Sequence, residues 1–362
     1  MNALATFPST EVRPIRLLIV DDSQVVRSIF ERILMRQANF IVSGTCSSVD
    51  EALRFLGRET VDIVLLDIEM PGRSGLDALP EILQRADGAA VIVVSSTVEQ
   101  NSARMIEAVS LGACDTLAKP GGAGVGGHFA ENLVAKIESI AAQRASGLAP
   151  SPARQGGEPC SPDRGARAPI SRPGCIAIGA STGGIVGIQQ FLSALPATID
   201  CPILITQHLP RTFIPYFAGQ LAGRVSRNVQ VCPPGTTLVK NHIYLAPGDG
   251  HLGCTRQGSA VVATRVEGDF AAHYAPAVDP MLSAAAQTYG EAAVAIVLSG
   301  MGIDGLEGAR EVRRRGGTVI VQDEDSSVVW GMPGHIAKSG LADAIMRPAD
   351  MGPYIYERSA AA

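Results

Sequence analysis

Residues 176–187 read IAIGASTGGIVG. An apolar run of strand length reaches Gly179, passes through Ser181 and Thr182, and opens into Gly183 and Gly184 ahead of a helix-like segment. A strand that turns through glycines into a helix is the building unit of a parallel α/β sheet. Such a turn can hold two different things at the carboxyl edge of the sheet. One is a phosphate-bearing cofactor resting on backbone N–H groups; the other is a serine lifted onto a sharp bend.

A dinucleotide loop calls for an acidic residue about 20 residues on, at the end of the next strand, to bind the ribose. The next strand here, PILITQH (202–208), ends in His208, and no Y-x-x-x-K follows in this half. A serine fits better. Residues 179–183 satisfy G-x-S-x-G, whose glycines allow a tight strand-to-helix turn. A serine hydroxyl is a poor nucleophile without an adjacent base. His208 ends the neighbouring strand and so lies at the same sheet edge. AIVLSGMGIDG (295–305) places Asp304 at a third strand end, where a carboxylate can orient the imidazole. The chain order Ser181, His208, Asp304 is not the Ser, Asp/Glu, His order of α/β-hydrolases, so that fold is not expected. Among competing residues, Asp249 reads as a turn residue and Asp279 as a helix-start cap, while His242 and His251 flank a hairpin. Met301 is the first candidate to donate an N–H to an oxyanion, and Thr182, at the start of the helix after the serine, is the second.

Further strand-like runs in this half are HIYLAPG (242–248), SAVVATRV (259–266) and GTVIVQD (317–323). Helices are expected after STGG, over RTFIPYF (211–217), over VDPMLSAAAQ (278–287) and after GIDG (302–305). The expected architecture for 174–358 is a Rossmann-like, doubly wound parallel sheet with a β-hairpin insert.

The first half alternates as clearly. Strand-like IRLLIV, FIVSGT, VDIVLL, AAVIVV and CDTLAK are separated by helix-like stretches such as SQVVRSIFERILMRQ, with Val25, Ile29, Ile33 and Leu34 on its apolar face. Five such units predict a second doubly wound parallel sheet over 14–141. Asp21 and Asp22 follow its first strand, Asp67 and Glu69 the third, Ser95 the fourth and Lys119 the fifth. Function collects at these carboxyl ends. Clustered carboxylates need a hard cation, and oxygen-only ligands suit Mg²⁺. Lys119 and Ser95 beside them suit a phosphoryl group. Between the halves, 142–173 is rich in Pro, Gly, Ala, Ser and Arg with no apolar period, and is expected to be a flexible linker.

Composition narrows the partners. The 362 residues are 46% apolar and 18% charged, with a net charge of −5. No Lys- or Arg-rich block marks a nucleic-acid footprint. No apolar run is long enough to span a bilayer, and MNALATFPSTEVRPIR carries no signal-peptide core. Seven cysteines without a C-x-x-C pair argue against a zinc site or a disulfide framework. A soluble cytoplasmic monomer is expected.

LLIVDDS, VDIVLLDIEMPGRSGLDAL, VIVVSS and AKP resemble a two-component response-regulator receiver domain. The resemblance implies Asp67 as the phospho-accepting residue. It implies Asp22, Asp67 and the Glu69 carbonyl as Mg²⁺ ligands with Asp21 assisting, and Ser95 and Lys119 as contacts of the phosphoryl group. Thr116 stands where such domains often carry an aromatic that swings inward on activation. IAIGASTGG, QHLP, HIYLAPGDGHL, AVDPML, LSGMGIDG and QDEDSSVVWGMP resemble the catalytic domain of chemotaxis protein-glutamate methylesterases. Leu209, often Met in the family, and the VDPM stretch depart from its pattern without touching the three expected catalytic residues. The resemblance implies removal of methyl groups from glutamate esters of methyl-accepting chemotaxis receptors by a Ser-His-Asp triad without a cofactor, and deamidation of receptor glutamines. It also implies a histidine kinase as phosphodonor and a receiver that covers the serine edge until phosphorylated. Two alternatives stand beside it: a receptor-binding module acting as a phosphate sink, and the same esterase in another chemosensory pathway.

Overall fold

The computed structural model describes residues 13–95, 99–119, 127–145, 171–268 and 275–360. Most of the expected linker, 142–173, lies outside them. Two parallel-sheet α/β domains are present.

The first contains β1 (Ile15–Val20), α1 (Gln24–Leu34), β2 (Phe40–Cys46), α2 (Val49–Leu56), β3 (Ile63–Asp67), α3 (Gly75–Arg85), β4 (Ala90–Ser95), α4 (Glu99–Ser110), β5 (Asp115–Ala118) and α5 (Gly127–Ala145). The sheet order is β2-β1-β3-β4-β5 and every pairing is parallel. The order reverses direction between β1 and β3, which opens a crevice at their carboxyl ends. β3 and β4 are buried along their whole length, as strands covered on both faces must be. Helix α1 starts at Ser23, whose hydroxyl accepts from the Val26 amide. Val25, expected on the apolar face, is 69% exposed. The stripe is built instead on Val26, Ile29, Phe30 and Ile33, and Val25 stands about 100° round the helix from Val26.

The second contains β6 (Cys175–Ala180), α6 (Gly184–Ala194), β7 (Ile203–Gln207) and α7 (Ile214–Ala222), the last preceded by a 3₁₀ turn at Arg211–Phe213. Next come β8 (Asn228–Val231), β9 (His242–Leu245), β10 (His251–Gln257) and β11 (Ala260–Val266). The chain ends with α8 (Val278–Tyr289), β12 (Ala293–Val297), α9 (Leu306–Arg314), β13 (Thr318–Gln322), α10 (Met332–Lys338), β14 (Ala344–Met346) and α11 (Pro348–Ala360). Seven strands pair in parallel in the order β14-β13-β12-β6-β7-β9-β8, and β10 and β11 form a separate antiparallel hairpin. The short edge strands β8 and β14 carry too little apolar pattern to be read from sequence. Alternate residues of β6 face two cores: Ile176 and Ile178 join Phe191 and Phe217 on one side, while Cys175 and Ala177 join Met281 and Val312 on the other.

β6 lies between β7 and β12, where the winding reverses. Two glycines shape its end for different reasons. A Cβ on Gly179 would stand 2.2 Å from Val278 Cγ1, so this glycine admits the first turn of α8 against the strand. Gly183 has φ +78°, a conformation that a side chain resists, and a Cβ there would stand 2.5 Å from Val328 Cβ.

Candidate active site

Ser181, His208 and Asp304 follow β6, β7 and β12, three adjacent strands, so the sheet brings residues far apart in sequence to one edge. The Ser181 amide donates to the Ser299 carbonyl at 3.0 Å. Its own carbonyl accepts from Gln207 Nε2 at 2.8 Å and from the Gly184 amide at 2.8 Å. The serine backbone is thus held from both neighbouring strand ends and from the helix behind it. Above it, a Cβ on Gly300 would stand 2.8 Å from Ser181 Cβ and 2.3 Å from Met332 Sδ, so only glycine leaves room there.

His208 extends the β6–β7 ladder, its amide donating to the Ala180 carbonyl at 3.0 Å. Its Nε2 lies 2.8 Å from Asp304 Oδ2. Asp304 is 2% exposed. Oδ2 also accepts from the Val278 amide at 2.7 Å, and Oδ1 accepts from the Asp279 amide at 2.9 Å. The carboxylate therefore sits on the N-terminal turn of α8, where unpaired amides and the helix dipole favour an anion. Burial pushes its pKa up, but the bond to His208, the imidazole's charge and the two amides prevail and hold it below the usual carboxylate value.

Met301 lies in the same loop as Asp304, and its side chain packs with Val328 and Val329 in the core cluster built mainly from first-domain residues. Thr182 is buried; its carbonyl accepts from Ser299 Oγ at 2.7 Å, and its hydroxyl donates to Asp115 Oδ2 of the first domain at 2.7 Å. The expected cap at Asp279 needs correction. Helix α8 has Ala277 at its N-cap with no side-chain bond, and Asp279 lies inside the first turn. Its Oδ1 accepts instead from the Gly308 amide of α9 at 2.7 Å. Asp249 pairs with Arg211 at 3.1 Å on the exposed rim. His251 accepts the Ala277 amide at Nδ1, and His242 stacks on Tyr244.

Several contributors belong to no motif in the sequence. Gln207 and Gln322 look like ordinary strand ends, yet Gln322 Oε1 accepts the Ser299 amide at 2.7 Å and so fixes the loop that supports Ser181. Asp115 and Lys136 form an ion pair beside Thr182, and Gln143 Nε2 donates to the Glu324 carbonyl while its Oε1 accepts from the Trp330 amide. These residues carry no recognisable spacing, because their contacts with Thr182, Glu324 and Trp330 cross between the domains. A second contact joins α4 to α7, where Gln220 Nε2 donates to Ser110 Oγ at 2.7 Å.

The first domain gathers a second cluster of acids. Asp21, Asp22 and Asp67 place carboxylate oxygens within 4.8 Å of one another. Lys119 Nζ lies 2.7 Å from both Asp21 Oδ2 and Asp67 Oδ2. One ammonium against three carboxylates leaves a residual charge of −2, which suits a divalent cation with oxygen ligands. Burial pushes the Asp67 pKa up to about 6, with Asp21's charge adding to the shift and Lys119 and the Glu69 amide opposing it. Burial of Lys119 works against its charge, but the two carboxylates prevail and hold its pKa above the usual value. Ser95, fully buried, ends β4, and its carbonyl accepts the Lys119 amide at 2.7 Å. The Glu69 side chain is exposed and its amide donates to Asp67 Oδ1 at 3.1 Å. Thr116, on β5, is buried.

The family model for CheB methylesterase matches residues 176–355, and that for the response regulator receiver domain matches 17–125. A protein-glutamate methylesterase/protein-glutamine glutaminase of Paramagnetospirillum magneticum is 37% identical, covering 98% of both chains. The chain belongs to the CheB methylesterase family. Another such relative, from Caulobacter vibrioides, is 36% identical over 95% of this chain and 99% of its own. The crystal structure of the Thermotoga maritima CheB methylesterase catalytic domain superposes with a TM-score of 0.50 at 34% identity, covering 51% of this chain and 98% of that one. Among the described residues no helix is long and apolar enough to cross a membrane.

Proposed function

We propose that this chain is a phosphorylation-regulated protein-glutamate methylesterase acting on methyl-accepting chemotaxis receptors, with deamidation of receptor glutamines as a second reaction at the same site. The supporting observation is the Asp304 carboxylate held between His208 and the amides of α8, at the strand end next to Ser181. In this reading Ser181 Oγ attacks the γ-carbonyl of the glutamate ester. His208 accepts the serine proton; with Nε2 committed to Asp304, Nδ1 is the nitrogen that serves the serine. Asp304 keeps the ring oriented and offsets the imidazolium charge. The oxyanion is received by the Met301 N–H, with Thr182 as the alternative donor. His208 returns the proton to the departing methoxide, methanol leaves, and an acyl-enzyme remains. Water, giving its proton to His208, attacks the acyl carbon and releases the glutamate and Ser181. With a glutamine substrate, ammonia leaves in place of methanol.

In the receiver, Asp67 would accept a phosphoryl group from a histidine kinase, with Ser95 and Lys119 contacting its oxygens. Mg²⁺ held by Asp21, Asp22, Asp67 and the Glu69 carbonyl would neutralise charge on the transferring phosphoryl group. The hydrogen bond from Thr182 to Asp115, one residue from the serine, supports a receiver that restrains the catalytic edge. Phosphorylation replaces the single negative charge of the Asp67 carboxylate with a phosphoryl group carrying about −1.5 to −2, and would shift the balance toward an open form.

The test is methanol release from methylated chemoreceptor membranes, with and without a small phosphodonor and Mg²⁺. Release that rises with the donor is expected. Release without stimulation would keep the esterase and discard the switch. No release from a panel of receptors would favour a binding module.

A further inference from the structure

Two helix N-termini meet beside the catalytic edge and exchange carboxylates. Asp304 precedes α9, yet its oxygens accept the Val278 and Asp279 amides of α8. Asp279 lies in α8, yet its Oδ1 accepts the Gly308 amide of α9. Each acid caps the other's helix. Close approach makes this possible: a Cβ on Gly308 would stand 2.6 Å from Leu282 Cβ and 3.0 Å from the Asp279 carbonyl oxygen. Gly305, with φ +94°, turns the chain between Asp304 and α9.

We propose that Asp279 is a positioning residue: through this reciprocal exchange it fixes the Asp304 carboxylate against His208 and sets the charge that the imidazole experiences. The inference rests on the catalytic roles proposed above for Ser181, His208 and Asp304. A single acid between helix and imidazole would be free to rock about its side-chain torsions. Here the loop that carries Asp304 is tied to α8 at both ends of the exchange, so the carboxylate plane is set by two helices. Two half-neutralised carboxyl groups side by side also compete for protons. Burial, with Asp304's charge adding to it, pushes the Asp279 pKa up to about 6, so its charge changes within the range where an esterase histidine works. Among the described residues, the other titratable groups at this end of α8 are His208, Glu307 in the first turn of α9 and His251 at the head of β10. An ionised Asp279 adds a second negative charge behind the imidazole and favours its protonated form. Asp279→Asn keeps an acceptor for the Gly308 amide and removes that charge.

The experiment follows His208 directly, in the full-length protein labelled with ¹⁵N-histidine. The six histidines are distinguished with the help of His208→Gln. In Asp279→Asn the midpoint of the His208 titration should move to lower pH by roughly one unit. The acidic limb of kcat/KM for methanol release should move with it and become steeper, while KM stays unchanged. Asp279→Ala, which also loses the Gly308 bond, should lower kcat at least tenfold further. A His208 midpoint that stays in place in Asp279→Asn would overturn the proposal, as would a fall in rate with an unmoved limb. Asp279→Ser, which retains a short acceptor, is measured alongside, so that a folding defect in one variant leaves the comparison intact. If no variant or parent releases methanol, the proposed activity fails, but the titration still decides whether Asp279 acts on His208.

Discussion

The two domains both gather buried acids at the carboxyl edge of a parallel sheet, and they spend those acids differently. In the receiver, three carboxylates converge and one ammonium answers them. In the esterase, Asp304 has an imidazole and two helix amides on its two oxygens. The first arrangement leaves net negative charge, which suits the cation and phosphoryl group proposed for it. The second turns its charge inward, onto a base. In the proposed reading, the same edge of the same kind of sheet serves phosphoryl transfer in one domain and acyl transfer in the other, according to which groups fill the carboxylate lone pairs.

The sharpest way to break this contrast lies on the esterase side. Ser181→Ala should reduce methanol release by about 10⁴-fold or more, and unchanged release would remove the nucleophile assignment. Asp304→Asn should lower kcat by about 10³–10⁴-fold, because the amide stabilises the wrong tautomer. A loss of only a few-fold would mean that the two helices, not the charge, do most of the orienting. On the receiver side, Asp67→Ala should erase stimulation by a phosphodonor, measured as the ratio of release with and without it. The junction comes next. Asp115→Asn weakens the charge-assisted bond to Thr182, and such bonds contribute about 1.5–3 kcal/mol. Basal release should therefore rise about tenfold, with a matching fall in stimulation. A basal rate that does not change would leave the Thr182 contact without a restraining role.

The smallest effect concerns stability. Asp67 has a folded pKa near 6 against an ordinary value of 3.8. An acid whose pKa is raised on folding contributes stability below its unfolded value, and that contribution is lost as pH climbs through the folded one. Without divalent cation, the receiver should lose roughly 2–2.5 kcal/mol between pH 4 and pH 7 from this group alone. Asp67→Asn should raise the thermal midpoint by several degrees at pH 7 and leave it unmoved at pH 4. Added Mg²⁺ should stabilise the parent more than the variant. A parent insensitive to Mg²⁺ would show that Lys119 alone neutralises the cluster.

Much of this is legible in the sequence. IRLLIV, VDIVLL, CIAIGA and AVAIVLSG announce themselves because a strand covered on both faces must be apolar throughout. The acids and the histidine that follow such strands stand out against them. Asp279 was not legible in its actual role. An acid at the start of a helix pattern is ordinarily a cap, and nothing local reveals that its partner amide belongs to α9. Val25 misled in the same way, since an apolar residue in a helical stretch does not declare which side meets the core. Asp115, Lys136 and Gln143 were invisible because what they do at the catalytic edge depends on contacts with Thr182, Glu324 and Trp330 of the other domain.

The sequence by itself determined two parallel sheets, the strand ends that carry Asp67, Ser181, His208 and Asp304, and the family to which those stretches belong. These follow from local rules: apolar runs, glycine turns and short motifs. The tertiary structure decided what each acid does. Only the strand order places β6 between β7 and β12, and only the approach of α8 to α9 fills the lone pairs of Asp304. Only domain packing brings Asp115 to Thr182. Charge, burial and hydrogen-bond partners are properties of neighbours in space, and the chain chooses those neighbours when it folds.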